Sequence, residues 1–366
     1  MKIAMVCYPT HGGSGVVATE LGKGLAAAGH TVHFINHTLP VRLHGNGFHD
    51  KLYYHEVSVP NYPLFIYPPF TLALTGRVVQ VIREQGLDVI HAHYAIPHSL
   101  VAVLARQISS QVRVVTTLHG TDITLVGAEP SLLEVTRYAI QESDTVTAVS
   151  NSLAQETRDK LGIRREIQTI YNFVDLKLYR RQVHSPRKLY APNNEAVLIH
   201  VSNFRPVKRL EDVIRVFAQV VRERPAVLLL VGDGPQHCPA HQLARELGVL
   251  EHVRFVGQQR ELVPLLSAAD VFLLPSEKES FGLAALEAMA CGVPVVASQV
   301  GGLPEVLAED GGHLRPLGDV QGMAEAVQTI LSDLDSWRER ARSQAEKFDS
   351  HRLIQQYISL YQEVCR

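Results

Sequence analysis

The sequence predicts an α/β protein of two doubly wound parallel-sheet domains, and three observations predict it. Short apolar runs of strand length alternate with amphipathic stretches of helix length, the pattern of a parallel sheet wound with helices. The series occurs twice, with a polar, proline-bearing stretch between. At 366 residues the chain is also longer than one typical domain.

The first apolar run, KIAMVCY, is bounded by a glycine loop and followed by a helical pattern from Val16 to Ala28. Strand-like runs recur at TVHFIN, LDVIHAH, VRVVTTLH and DTVTAVS, with amphipathic stretches between them. After IQTIYNFVD, the polar stretch from Lys177 to Asn194 holds Arg180, Arg181, Pro186 and Pro192 and predicts a linker. A second series follows: AVLIHVSN, AVLLLVGDG, HVRFVG, DVFLLPS and VPVVAS. The expected domains are 1–172 and 173–345, and 346–366 is expected as a helix crossing back to the first domain. It carries Leu353, Ile354, Tyr357, Ile358 and Tyr361 on one side. Such folds bind ligands outside the carboxyl ends of their strands. Two of them facing each other would make a cleft there.

Composition narrows the partners. Apolar residues make up 46% and charged ones 20%, which excludes a disordered or collagen-like chain. Lys plus Arg is 35 against 37 for Asp plus Glu, so no global field favours nucleic acid or an anionic membrane. A bound anion must then be held locally. Cys7, Cys238, Cys291 and Cys365 form no CxxC pair and read as reduced thiols of a cytosolic protein. The opening MKIAMVCYP is too short an apolar run for a signal peptide. Val57–Gly76 lacks charge, but Pro60, Pro63, Pro68 and Pro69 would break a spanning helix. It is expected as a surface excursion whose tyrosines and phenylalanines pack onto the domain, with no stable membrane association. A homo-oligomer is compatible with all of this.

The motifs fall at strand ends. HGGSG, His11 to Gly15, follows a strand and opens a helix, so its N–H groups can meet an anion at the positive helix end. A tight turn that simply needs glycine is the alternative. It is not G-x-G-x-x-G and no acidic residue ends the next strand, so a nicotinamide dinucleotide fits poorly. In VSNFRPVKRLED, Arg205 and Lys208 follow a strand, and Lys208 and Arg209 fall where a helix begins. Cations there oppose the helix dipole unless an anion is present, which points to a ligand phosphate over a solvated basic turn. VGDGP closes the next strand with Gly232, whose missing side chain would let a ligand approach.

SEKESFGLAALEAMACGVP places Glu279 and Glu287 eight residues apart. On a helix starting near Ser280 that is about 12 Å of axis. A paired-carboxylate hydrolase needs its two groups at roughly 5–9.5 Å, flanking one bond. These glutamates suit two parts of one elongated ligand, such as the sugar and the ribose of a nucleoside diphosphate sugar.

E-x-F-G with a second Glu eight positions after the first resembles the signature of the retaining GT-B glycosyltransferases, the group that includes sucrose and glycogen synthases. The pair Arg205 and Lys208 is similar to that group's diphosphate clamp. The stretches CYPTHGGSGVVATELGK, HAHYAIPHSL, TTLHGTDIT, AVSNSL and YNFVD are similar to the branch of the group that begins bacillithiol biosynthesis. The resemblance is weakest at the linker and the C-terminus. It implies two Rossmann-like domains and transfer of N-acetylglucosamine from UDP-N-acetylglucosamine to the hydroxyl of L-malate. The α-configuration would be retained by front-face attack, with the departing phosphate oxygen taking the acceptor's proton.

Carried over, the resemblance implies a catalytic set of His119, Arg205, Lys208 and Glu279, with His119 on the sugar and transition state. Gly13, Ser14, Asn203, Gly232 and Gly257 would join them on the donor. So would Ser280, Phe281, Gly282, Leu283 and Glu287. L-malate is a small dianion, so Ser14, Tyr94, Thr117 and Asn151 are acceptor candidates, with Arg42 a further one. The spacing alone does not choose malate over another hydroxy acid or a polyol phosphate.

No metal or other cofactor is expected, because Arg205, Lys208 and a helix N-terminus can offset the diphosphate charge. His44, His49 and His55 around the His- and Gly-rich stretch RLHGNGFHD are expected to be solvated. His91, His93 and His98 are explained by strand ends and a loop, and Asp333 and Asp335 by helix capping. Three alternatives stay open: a mycothiol-type transferase acting on an inositol phosphate, a UDP-sugar epimerase, and a non-catalytic nucleotide-sugar binder.

Overall fold

The computed structural model describes residues 1–9, 12–43, 50–60, 66–109 and 111–366. The chain divides into two compact units. One comprises Met1–Asn172 with Ser350–Arg366, the other Phe173–Asp349.

The first unit holds a seven-stranded parallel sheet. Its strands are β1 (Lys2–Val6), β2 (Thr31–Asn36), β3 (Leu52–Glu56), β4 (Val89–His93), β5 (Arg113–Leu118), β6 (Thr145–Ala148) and β7 (Gln168–Thr169). Their order is β3-β2-β1-β4-β5-β6-β7. Central strands are buried along most of their length, as a sheet covered on both faces requires: Ile3, Ala4, Met5 and Val6 of β1 are all fully buried.

The helix Ser350–Val364 buries Leu353, Ile354, Tyr357, Ile358, Leu360 and Tyr361 in this unit and packs on the helix Gly13–Ala27. Gly24 permits the close approach, since a Cβ there would stand 2.2 Å from Ile354 Cδ1.

The second unit holds a six-stranded parallel sheet. Its strands are β8 (Ala196–Val201), β9 (Ala226–Val231), β10 (Val253–Gly257), β11 (Val271–Leu274), β12 (Val295–Ser298) and β13 (Gly312–Arg315), in the order β10-β9-β8-β11-β12-β13. The helix Leu210–Glu223 buries Leu210, Val213, Ile214, Phe217 and Val220 against it, at helical spacing. Each such side chain contributes roughly 1.5–3 kcal/mol by leaving water.

Strand order reverses between β1 and β4 in one sheet and between β8 and β11 in the other. These are the switch points where doubly wound sheets open a crevice. The sequence motifs HGGSG, SNFRPVK and SEKESFG follow β1, β8 and β11, and HAHYA spans the end of β4.

Two expectations are corrected. The stretch from Lys177 to Asn194 is no free linker. Tyr179 is buried, and Arg187 pairs with the buried Asp270 at 2.9 Å, so the segment is packed into the second unit. In the stretch Val57–Gly76, Tyr67 is 83% exposed, against the expected packing of its aromatic residues, whereas Phe70 packs on the core as expected. Pro68 and Pro69 lead into a helix beginning at Phe70. Residues 61–65, including Tyr62 and Phe65, lie outside the described residues. No helix among the described residues is long and apolar enough to cross a membrane.

Candidate active site

In the second unit the loops after β8 and β11 meet. Glu277 N–H donates to Val207 O at 2.8 Å. Lys208 Nζ stands 2.5 Å from Glu279 Oε1, and the buried Ser276 Oγ donates to the same oxygen at 3.0 Å. Glu279 is fixed from behind as well. Its carbonyl accepts the Gly302 N–H at 3.0 Å, and a Cβ at Gly301, where φ is +53°, would fall 1.9 Å from that oxygen.

Gly282, at φ +95°, turns the chain into the helix Leu283–Ala290. The helix therefore starts later than the expected Ser280, so Glu279 precedes it and only Glu287 lies within it. The 12 Å axial estimate does not apply. Phe281 is buried against Phe348, with ring centroids 5.7 Å apart, which leaves its main chain as the part available to a ligand. Ser280 and Leu283 are half-buried at the helix entrance. Glu287 is buried, and Tyr179 donates to its Oε1 at 2.7 Å.

The basic turn is held under strain. Phe204 is fully buried with φ +41°, outside the range comfortable for a bulky residue. A buried relay supports it. His200 Nδ1 donates to Leu273 O at 2.8 Å, His200 Nε2 lies 2.8 Å from Ser202 Oγ, and Phe204 N–H donates to that oxygen at 3.2 Å. The carbonyl fixes the proton on His200 Nδ1, so Nε2 accepts from Ser202. Burial lowers the His200 pKa to about 4.

Asn203 and Arg205 flank Phe204 and are exposed, and Arg205 pairs with no carboxylate among the described residues. Lys208 closes the short turn Pro206–Lys208, and Arg209 occupies the N-cap at φ +50°. The cation placed against the helix dipole is offset inside the protein, because Arg209 Nε bonds Asp212 Oδ2 at 2.6 Å.

Gly232 serves the fold in its own right. A Cβ there would stand 1.8 Å from Ser202 O, and one at Gly234 2.1 Å from Asn203 O. Both glycines let one backbone close against another, a packing requirement met without any ligand. Gly257 ends β10 at φ +73° after a register shift, and its carbonyl accepts the Gly232 N–H at 2.9 Å.

In the first unit the ends of β1, β4 and β5 gather aromatic and imidazole rings. Tyr8 meets Tyr94 edge-on at 5.2 Å, and Tyr94 stacks on His119 at 5.6 Å. Tyr94 Oη and Thr121 Oγ1 are 2.8 Å apart. His119 is half-buried, its Nε2 is 2.9 Å from His93 Nδ1, and burial lowers its pKa to about 3. Asp122, fully buried, accepts N–H groups of His119, Gly120 and Ala95 at 3.1, 2.7 and 3.1 Å. Burial still raises its carboxyl to about 6.

Gly13 is exposed at the first position of its helix, with open space where a Cβ would go, and Ser14 is half-buried beside it. His11 lies outside the described residues, as do His44 and His49.

Thr117 is the clearest correction among the acceptor candidates. It is fully buried, and its Oγ1 lies 2.7 Å from His91 Nε2, 2.7 Å from Thr147 Oγ1 and 3.4 Å from Tyr357 Oη. It is a core hub, because it lies on the sheet face reached by Tyr357 of the helix Ser350–Val364. Asn151 is exposed, donating to Tyr171 Oη at 2.9 Å and accepting from Thr169 at 2.8 Å. Arg42 stands 3.5 Å from Glu20. His55 is 2.9 Å from His33 rather than solvated. His91, His93 and His98 are buried in this core. Asp335 pairs with Arg338 at 3.1 Å, and Asp333 occupies the N-cap of Leu334–Glu346 with no side-chain capping bond. No group of three His, Cys, Asp or Glu among the described residues is arranged to hold a metal ion.

Sequence reasoning missed Tyr179, Ser276, His200, His93 and Asp122 as partners of site residues. A polar His200 inside an apolar strand was a local signal. Tyr179 offered none.

The model for glycosyl transferases group 1 matches residues 183–348, and that for glycosyltransferase family 4 matches residues 11–178. Over 374 aligned residues the chain is 48% identical to the N-acetyl-alpha-D-glucosaminyl L-malate synthase of Bacillus anthracis, covering 100% of this chain and 98% of that one. The chain belongs to the GT-B glycosyltransferases. Among solved structures the enzyme is similar to sucrose-phosphate synthase from Thermosynechococcus elongatus, at 26% identity and TM-score 0.85, covering 100% and 99% of the two chains. It is also similar to Anabaena HepE in complex with UDP-glucose, at 25% identity and TM-score 0.84, covering 99% and 100%. The glycosyltransferase thus carries its E-x-F-G motif, Glu279 to Gly282, on the loop after β11.

Proposed function

We propose that this enzyme transfers N-acetylglucosamine from UDP-N-acetylglucosamine to the hydroxyl of L-malate, opening bacillithiol biosynthesis, with retained configuration and without a metal. The observation that carries the reading is the 48% identity along the whole chain to the Bacillus anthracis synthase.

The donor falls to the second unit. Arg205 and Lys208 take the diphosphate together with N–H groups around Gly282. Glu287, oriented by Tyr179, takes the ribose, and Glu279 takes the sugar and steers Lys208. The bond from the anomeric carbon to the β-phosphate oxygen breaks as the bond to the malate hydroxyl oxygen forms. The hydroxyl proton passes to the departing phosphate. Negative charge grows on that phosphate, so fixed cations act mainly in the transition state. The neutral His119 serves as a hydrogen-bonding group on the sugar. Malate falls to the first unit, where Ser14 and the start of the helix Gly13–Ala27 suit one carboxylate and Tyr94 the other end.

The test is UDP release from UDP-N-acetylglucosamine with L-malate, D-malate, lactate, inositol 1-phosphate or water, with the product's anomeric configuration read by NMR. L-malate should be preferred, the product should be the α-anomer, and EDTA should leave the rate unchanged. Lactate or inositol phosphate serving as well as L-malate would remove the malate assignment. A β-product would remove retention, and loss of activity in EDTA restored by a divalent ion would remove metal independence.

A further inference from the structure

His93 and His119 meet through one ring nitrogen each, and their surroundings determine which of the two carries the proton. His93 ends β4 and is fully buried, with Nδ1 2.9 Å from His119 Nε2. Its other nitrogen, Nε2, is buried too and has no hydrogen-bond partner among the described residues. Burial holds both rings neutral, His93 well below the ordinary imidazole range and His119 at about 3.

A neutral pair has two arrangements. If His119 Nε2–H donates, His93 must carry its own proton on Nε2, and a buried N–H is left with nothing to accept it. If His93 Nδ1–H donates, only a lone pair goes unused at His93 Nε2. Unpaired buried donors are the rarer defect, so the second arrangement wins.

We propose that His93 is a positioning residue that fixes His119 as its Nδ1–H tautomer, occupying Nε2 and leaving Nδ1–H as the group His119 offers to substrate. Both rings are held in place for this. The His93 carbonyl accepts from His98 Nδ1 at 2.6 Å, and the His91 ring lies 4.2 Å from that of His93. His119 is clamped by its main-chain bonds to Asp122 and by the Tyr94 ring stacked at an interplanar angle of 17°. His119 then acts as a donor to a sugar oxygen and has no free lone pair with which to take a proton. That catalytic consequence rests on the proposed role of His119; the tautomer does not.

The tautomer is read in the resting native enzyme by long-range proton–nitrogen NMR with nitrogen-15 histidine, His119 being assigned from the spectrum of His119→Gln. The expected spectrum shows His119 protonated at Nδ1 and bare at Nε2, and the reverse pattern overturns the assignment. Kinetics test the positioning. His93→Asn keeps an amide N–H near the place of Nδ1, whereas His93→Gln moves it toward the place of Nε2. UDP release should stay within about threefold of native for His93→Asn. It should fall about tenfold or more in kcat for His93→Gln and His93→Ala, with the KM for UDP-N-acetylglucosamine little changed. Equal losses in the Asn and Gln variants at native melting temperature would overturn positioning by His93. Should L-malate prove not to be the acceptor, the resting-state spectrum still decides the tautomer independently.

Discussion

Lys208 Nζ lies 2.5 Å from Glu279 Oε1, joining the turn after β8 to the loop after β11. The two side chains are only 21% and 12% exposed, so this pair is shielded more than a surface ion pair. Removing either partner leaves the other charge poorly compensated. We expect Lys208→Ala to lower kcat by roughly 10–100-fold, the scale of one charged hydrogen bond. Glu279→Ala should fall similarly, and the double variant should be little worse than either single one. Steady-state kinetics on the four proteins measures the coupling, and strictly additive losses would show that the pair does not act as a unit.

Tyr179 reaches Glu287 across 108 residues of sequence. Tyr179→Phe removes one hydrogen bond and leaves the ring packing intact. UDP affinity measured by calorimetry should weaken by about 0.5–1.5 kcal/mol while kcat at saturating donor stays near native. Unchanged UDP binding would detach Tyr179 from the ribose site.

Thr117 gives an opposite kind of expectation. Thr117→Val keeps the volume but leaves His91, Thr147 and Tyr357 short of a partner, at a stability cost of about 1–3 kcal/mol. Urea denaturation should register that cost, and the KM for L-malate should hold. A large rise in that KM with native stability would return Thr117 to the acceptor site.

Buried neutral histidines set the acid limit of stability. Burial holds His91 and His119 at about 3 and His98 and His200 at about 4, below the ordinary 6.5. For a lowered imidazole the unfolded chain binds the extra proton. Its stabilisation is therefore complete above pH 6.5 and is lost as pH falls toward the folded value. Asp122 opposes the trend. Its carboxyl is raised to about 6, so it favours the folded state below about pH 4 and loses that contribution as pH rises to 6. Four histidines outweigh one carboxyl, and stability should climb from pH 4 to 6.5. His200→Asn should reduce that slope by about one proton in denaturation series across this range. An unchanged slope would mean that His200 is not held neutral in the fold.

Much of this protein was legible before any coordinates. The alternation of apolar runs and amphipathic stretches is a local property of the chain, and it determined the doubly wound class. Glycines and charges just after apolar runs determined that the motifs close β1, β8, β9 and β11, because a parallel strand must end in a loop on one side of its sheet. The tertiary structure alone decided what each of those residues packs against and bonds to. Thr117 proved a core hub, and Gly232 and Gly234 proved contacts between backbones, since both depend on what a neighbouring strand end presents. Glu279 gained Lys208 from 71 residues away, and His91 gained Tyr361 from 270 away. The first pairing follows from strand order at a switch point and the second from the C-terminal helix packing on the first sheet, and periodicity within one segment encodes neither.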